Sequence, residues 1–300
     1  MLITSTAGSW QQQLSDLITD PTELLRILKL NTSQFDIPAD VLSSFPLKVP
    51  RAFVARMQPA DPADPLLAQV LPIGREVDDT PGYSLDPLSE ADFNPQAGIL
   101  HKYQGRVLVL AAPHCAVHCR YCFRRHFPYD AKVPGKTSWE QIREVIYSGG
   151  DPLAASDKYL AWLTNRISEI PHIGRLRIHT RTPVMIPERV DNALLGWLAE
   201  TRLQKVMVVH VNHATEIDEK VVAAMHRLTA ANVTLLNQSV LLRGVNDSAD
   251  ALVSLSERLF AAGVLPYYLH MLDKVQGVAH FAVSDSAAGQ LMDEMRARVP

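Results

Sequence analysis

RVLVLAAPHCAVHCRYC (residues 106–122) joins a strand-like run, Arg106–Ala111, to a loop that carries Cys115, Cys119 and Cys122. These are the only cysteines of the chain, three within eight residues. The run before them is short, apolar and rich in Val and Leu, the pattern of a buried strand. Similar runs recur at Glu144–Tyr147, Arg175–Thr180, Lys205–Val211, Asn232–Asn237 and Val264–His270. Amphipathic stretches lie between most of them. Leu160, Leu163, Ile167 and Ile170 share one helical face, as do Val190, Leu194, Trp197 and Leu198, and also Leu252, Leu255 and Leu259. Alternating β and α with short links predicts a parallel sheet with helices outside. Six such units are too few for a closed eight-fold barrel. The expected fold is therefore α/β, a partial (β/α)6 barrel. Chemistry in such barrels gathers at the carboxyl ends of strands, which is where the cysteine loop falls.

Residues 1–100 differ in texture, with most of the prolines and little β pattern. They are expected to form a helical extension, followed by the barrel core at 101–283 and a last helix from Ser284 in 284–300. Asp20-Pro21-Thr22-Glu23 reads as a helix start: Asp20 caps, Pro21 suits the first helical position, and Glu23 can reach back. PADPADP (59–65) reads as a linker or turn.

Composition bounds the function. The chain has 300 residues, 47% hydrophobic and 20% charged, enough for one large domain and an appendage. A net charge of −3 and a pI near 6.4 give no electrostatic case for nucleic-acid binding. No apolar run approaches the roughly 18 residues of a membrane span. Met1–Gln13 is polar and lacks the apolar core of a signal peptide. An odd, clustered set of cysteines argues against a disulfide framework and for a reducing compartment, so a cytoplasmic protein is expected.

Cysteines spaced C-x3-C-x2-C can hold three irons of a 4Fe–4S cluster and leave the fourth iron to a small ligand, where four protein ligands are the norm. Zinc is the alternative, with His114, His118 or His126 as a fourth donor. Ser148-Gly149-Gly150-Asp151-Pro152 follows the second strand-like run. Its glycines let a ligand approach the backbone and leave amides free for it, while Asp151 can accept from an ammonium; it also reads as a plain turn. Arg181, in HTRTP (179–183), can clamp a carboxylate or phosphate, or make a surface salt bridge. His210-Val-Asn-His213 and Asn237-Gln238-Ser239 end the next runs, as site residues or as satisfied core polar groups.

The cysteine spacing, with Tyr121 before the last cysteine, resembles the signature of radical S-adenosylmethionine enzymes. A longer likeness is more specific. CAVHCRYCFRRHFPY (115–129), YSGGDPL (147–153), RIHTRTPV (177–184), HVNHATE (210–216), LLNQSVLLRGVND (235–247) and PYYLHMLDKVQGVAHF (266–281) resemble the lysine 2,3-aminomutase family, and within it the branch that makes (R)-β-lysine for elongation factor P. The resemblance runs from about Asp20 to the C-terminus. It implies that a reduced 4Fe–4S cluster on Cys115, Cys119 and Cys122 splits S-adenosylmethionine, that pyridoxal 5'-phosphate holds L-lysine, and that the amino group moves from the α to the β carbon. It implies Arg124 for the lysine α-carboxylate and Asp273 for the ε-amine. It implies Arg181 for the pyridoxal phosphate, Gly149, Gly150 and Asp151 for the S-adenosylmethionine amine, Tyr121 beside the adenine, and Gln238 against a cofactor, with Tyr103 or Arg106 as further contacts. Implied partners are L-lysine and, functionally, elongation factor P with its lysine ligase. Self-association into a homo-oligomer stays open.

Two departures from the family pattern set expectations of their own. No lysine follows Lys274, whereas the family carries its pyridoxal lysine in a later Gly-rich segment. Weak, non-covalent pyridoxal phosphate binding is the corresponding expectation. The alternative to the enzyme is then a truncated or degenerate cluster-binding scaffold. Second, Pro134–Ser148 is short, and Thr137–Arg143 leaves room for only about two helical turns before the second strand.

Overall fold

The computed structural model describes residues 8–93, 98–128 and 139–299. Short helices build the first part: α1 (Trp10–Ser15), α2 (Pro21–Ile27), α3 (Ala39–Ser44), α4 (Arg51–Val54) and α5 (Pro65–Ala68). Two-residue strands β1 (Leu17–Ile18) and β2 (Val49–Pro50) pair antiparallel among them. The start of α2 follows its sequence signals in part. Asp20 Oδ1 accepts from the Thr22 amide at 2.8 Å and Pro21 is the first helical residue. Glu23 turns outward instead and accepts from Arg51 Nη1 at 2.8 Å. The segment 59–65 is no loose linker. Asp64 is buried, and its carboxylate accepts from the Gln58, Leu66 and Leu67 amides, each at 2.8 Å, which starts α5.

The main sheet has seven strands in sequential order: β3 (Ile99–Tyr103), β4 (Arg106–Ala112), β5 (Glu144–Gly149), β6 (Arg175–Thr180), β7 (Gln204–His210), β8 (Thr234–Val240) and β9 (Leu265–His270). β3 runs antiparallel to β4, and β4 to β9 are parallel. The six parallel strands are the six runs expected. The sheet is open, with β3 and β9 at its edges. It also curls: Arg106 on β4 lies within electrostatic reach of His179 on β6 and of Tyr268 on β9.

Helices α6 (Asp157–Ser168), α7 (Thr182–Met185), α8 (Asn192–Glu200), α9 (Glu219–Ala230) and α10 (Ala249–Ala261) fill the later crossovers, and α11 (Asp285–Arg296) follows β9. The expected inward faces are buried, with Leu160 and Ile167 on α6, Leu194, Trp197 and Leu198 on α8, and Leu252, Leu255 and Leu259 on α10. One hydrophobic cluster runs from Trp10 through Leu24, Phe53 and Leu66 to Val264, so the first part packs into the same core as the sheet. Fully burying each such side chain contributes about 1.5–3 kcal/mol. α11 packs on α10 through Ala288 and Leu291.

The first crossover is the exception. Among the described residues, its helical content between the cysteine loop and β5 is one 3-10 turn, Trp139–Gln141, in place of the two turns expected; residues 134–138 of that stretch lie outside the described residues. Ile142 is fully buried and a His172 ring nitrogen lies 2.7 Å from the Trp139 carbonyl, so this short link is pinned to the core. On α6, Tyr159 and Trp162 stack at 6.1 Å and are exposed by 39% and 58%. No helix among the described residues is long and apolar enough to cross a membrane.

Candidate active site

Side chains alternate along a strand, so every second residue of β4 to β9 faces the concave side of the curled sheet. That face carries Arg106, Glu144, Ser148, Arg177, His179, His210, Gln238 and His270. Glu144 accepts from Arg177 Nε at 3.1 Å and Nη2 at 2.9 Å. His179 is pushed down to about 3, first by burial and then by Arg177, Arg124, His270 and Arg106. Its Nε2 is buried with no hydrogen-bond partner. The lumen therefore carries charges of both signs, with an unengaged imidazole nitrogen on His179.

The cysteine loop closes the carboxyl end. All three thiols are free and half-buried. Burial raises the Cys115 thiol well above its ordinary value, helped by Asp151, Cys122 and Cys119. Burial, and then Cys119, pushes Cys122 up to about 11. Three mutually repelling thiolates are a site for a polycation. Among the described residues no three His, Cys, Asp or Glu side chains converge on one metal position. An iron-sulfur cluster takes each thiolate on a separate iron. His118 is occupied elsewhere: its Nδ1 lies 2.9 Å from the Pro46 carbonyl and its ring stacks on Phe45 at 4.6 Å.

Residues of the N-terminal part clamp this loop. Glu76 accepts from Arg120 Nε at 2.9 Å, from Arg120 Nη2, and from Arg125 Nη2 at 2.7 Å. Both guanidiniums also lie 4.7 Å from the Phe45 ring. The loop thus sits on a buried ion-pair network tying residues 45–76 to 118–125.

Arg181 is not a lumen residue. The turn of α7 directs it under the cysteine loop, where it is almost fully buried. Nη1 donates to Cys119 Sγ at 2.8 Å and the Tyr121 hydroxyl at 2.6 Å; Nη2 donates to Gln69 Oε1 at 2.6 Å and Glu216 Oε2 at 3.0 Å. Its charge is secure: burial opposes it, but Cys119, Tyr121 and Glu216 together raise it well above the ordinary arginine value. Its Nε is buried without a hydrogen-bond partner. Tyr121 is likewise a core residue, 4% exposed and edge-on to Phe281 at 6.3 Å.

The Gly-Gly-Asp turn is packed closely against the end of β4. A Cβ on Gly149, whose φ is +116°, would lie 2.7 Å from the Ala112 carbonyl oxygen, and one on Gly150 2.6 Å from that of His114. The Gly150 and Asp151 amides donate to those same carbonyls at 2.8 and 2.9 Å, so they are not free. The Asp151 carboxylate accepts from Thr180 Oγ1 (2.6 Å) and the Leu153, Arg181 and Thr182 amides (3.0, 2.7 and 2.9 Å). It joins the ends of β5 and β6.

Arg124 and Asp273 lie at the lumen mouth, by the carboxyl ends of β5 and β9. Arg124 is 9% exposed; its Nη1 donates to Ser148 Oγ at 3.0 Å and the Gly149 carbonyl at 3.3 Å. Its Nε and Nη2 hold the Glu90 carboxylate at 2.7 and 2.6 Å. Asp273 is half-buried, its carboxyl raised by burial and by Glu90 against the opposing effect of His270. Gln238 faces the lumen from β8. His213 is a turn residue whose Nδ1 accepts from the Thr215 amide at 3.3 Å. Sequence reasoning missed Gln69, Glu76, Glu90 and Glu216. For Glu216 a signal existed in HVNHATE, an acid three residues after a candidate cap; for the others no local signal did.

No family model matches the chain. A Haemophilus influenzae protein named L-lysine 2,3-aminomutase is 50% identical over 293 residues, covering 94% of this chain and 87% of its own. An Escherichia coli protein of the same name is 49% identical over 305 residues, covering 98% and 89%. One of Clostridium subterminale, also so named, is 32% identical and covers 96% and 72%. A solved structure described as hexahistidine-tagged anSMEcpe with bound AdoMet overlaps 63% of this chain and 57% of its own at 13% identity, with a TM-score of 0.44.

Proposed function

The chain belongs to the lysine 2,3-aminomutase family, and we propose that it is an isomerase that moves the α-amino group of L-lysine to the β carbon. One observation carries the reading: 49% identity to a protein of that name across 98% of this chain. Such extent leaves the degenerate-scaffold alternative unfavoured.

The residues present suit the implied groups. Three repelling thiols suit a 4Fe–4S cluster bound through Cys115, Cys119 and Cys122, with Arg181 as a fixed positive charge on the Cys119 sulfur. The orphaned His179 Nε2, with Arg106 on the same face, suits a phosphate and supports pyridoxal phosphate at that level, with Arg181 buried beneath the cysteine loop as the other cation that the resemblance implies for it. Gln238 faces the same space. When bound, the cluster with S-adenosylmethionine would supply a hydrogen-abstracting radical, and pyridoxal phosphate would supply an electrophilic carbonyl for the amine. The chain's own task is to position and shield. Arg124 reads the α-carboxylate through its planar fork. Asp273 accepts from the ε-ammonium, which selects a long cationic side chain. Leu108, Leu110, Ile146, Val208 and Leu236 fall on the same face between these polar groups and exclude water. Gly149, Gly150 and Asp151 act on the S-adenosylmethionine site through the position of their turn, and Tyr121 through its bond with Arg181.

The FRRHFPY (123–129) and DKVQGVAHF (273–281) runs support a finer reading, in which the product is (R)-β-lysine destined for elongation factor P. Three free cysteines support a reducing, cytoplasmic setting. The test is anaerobic incubation of the reconstituted protein with S-adenosylmethionine, reductant, pyridoxal phosphate and L-lysine. β-Lysine is the expected product. A protein with four irons per chain that leaves lysine unchanged would refute the reading.

A further inference from the structure

The fork of Arg124 already holds a carboxylate. Glu90 Oε2 accepts from Nε at 2.7 Å and Oε1 from Nη2 at 2.6 Å, with side chains only 8% and 13% exposed. The remaining Nη1 is engaged by Ser148 and Gly149. A planar guanidinium offers this Nε/Nη2 edge to one carboxylate at a time. A substrate carboxylate read by Arg124 must therefore take the place of Glu90.

Glu90 sits on a strap that is anchored at the lumen mouth. Ser84 bridges Val275 in parallel, its amide donating to the Lys274 carbonyl at 2.9 Å and its carbonyl accepting from the Gln276 amide at 3.0 Å. Lys102 Nζ donates to the Leu88 carbonyl at 3.0 Å. The Glu90 amide donates to Asp86 Oδ1 at 3.0 Å, which opens the short turn Glu90–Phe93. The backbone is thus held while the Glu90 side chain reaches Arg124. The same carboxylate acts on Asp273 from across the mouth.

We propose that Glu90 is a placeholder for the substrate α-carboxylate: it neutralises Arg124 in the empty lumen and is displaced by the carboxylate of lysine. This rests on the assignment of Arg124 and Asp273 to opposite ends of lysine. The exchange conserves charge. Before it, Arg124 is paired with Glu90, and Asp273 faces a second carboxylate. After it, Arg124 holds the substrate carboxylate, Asp273 holds the ε-ammonium, and Glu90 is hydrated at the rim. The device avoids an uncompensated buried arginine, which is costly. It also sets a threshold: a ligand without a carboxylate leaves the Glu90–Arg124 pair intact.

The test compares wild type with Glu90→Gln, which keeps the volume and loses the charge, and with Glu90→Asp, which is too short to hold the same fork. Cluster-reconstituted protein with pyridoxal phosphate is titrated calorimetrically with L-lysine and with cadaverine, its decarboxylated analogue. Both variants should bind L-lysine on the order of tenfold tighter than wild type, with cadaverine changed less than about twofold. If wild type binds lysine and the variants bind it equally or more weakly, Glu90 only braces Arg124 and the placeholder is overturned. An equal gain for cadaverine overturns it too, because Glu90 then acts through mouth charge alone. If no form binds lysine, the lysine assignment itself fails, and the placeholder with it.

Discussion

Arg181 donates to Cys119 Sγ at 2.8 Å from a position almost fully buried beneath the cysteine loop. A fixed cation on a cluster sulfur lowers the cost of adding an electron, because hydrogen bonds and net charge around the sulfurs set the potential. The same guanidinium is the counter-ion of Glu216, itself fully buried. One side chain thus links the stability of the loop's support to the electronics of whatever the loop binds.

Arg181→Lys should keep a charge but lose the fork. The reconstituted cluster is expected to shift to a more negative reduction potential, read by a redox titration followed by electron paramagnetic resonance. Arg181→Met should cost about 3–5 kcal/mol in urea unfolding, since Glu216 is left buried and unpaired. A potential identical to wild type in Arg181→Lys would remove this role.

Gly150→Ala should destabilise the junction of β4 and β5 and reduce iron incorporation, because its Cβ would meet the His114 backbone at 2.6 Å. Gly196→Ala is the matched control: nothing lies within 4 Å of its Cβ, and it sits within α8. That change should gain up to about 1 kcal/mol by helix propensity. Equal iron content and melting temperature in Gly150→Ala and wild type would count against the clamp.

Acid should unfold the protein through its buried histidines. His179 and His210 are both lowered to about 3, chiefly by burial, then by Arg177 for the first and Arg181 for the second. The unfolded chain takes up their protons near 6.5 and the folded chain does not, so stability is full above that pH and falls as pH drops toward 3. Each histidine contributes a slope of about 1.4 kcal/mol per pH unit in that window. His179→Asn should flatten the dependence between pH 6 and 4.5 in denaturant melts; an unchanged slope would contradict it.

Asp273→Ala should cut lysine turnover by ~100-fold or more, because an ammonium left unpaired in the mouth costs several kcal/mol. Cleavage of S-adenosylmethionine should fall far less. Product analysis for both methionine and β-lysine reads the two separately, and parallel losses would take Asp273 out of the substrate site.

The strands and the place of the cysteine loop were legible because each is a local pattern. Arg106–Ala111 reads as a strand from its own residues, and a loop that follows it must lie at its carboxyl end. Arg124 and Asp273 at the mouth follow from the same reasoning with the family motifs added. The partners of Arg181 were not legible. Its motif places it at a strand end, but the turn at Thr182–Met185 points it away from the lumen toward Gln69, 112 residues earlier. Asp151 and the two glycines read as a ligand turn because their partners, the carbonyls of Ala112 and His114, exist only once β4 and β5 pair. Glu76 and Glu90 look like ordinary surface acids until the arginines at 120, 124 and 125 close on them. Strand order is local information, whereas the partner of a buried charge is long-range.

The most direct test of the central claim follows the nitrogen. L-Lysine labelled with 15N at the α-amino group is incubated anaerobically with the reconstituted protein, S-adenosylmethionine, reductant and pyridoxal phosphate, and the products are read by NMR. The account predicts that the label appears on the β carbon of 3,6-diaminohexanoate, with the ε-nitrogen unlabelled. Label confined to unreacted α-lysine, in protein carrying a full and reducible cluster, would contradict it.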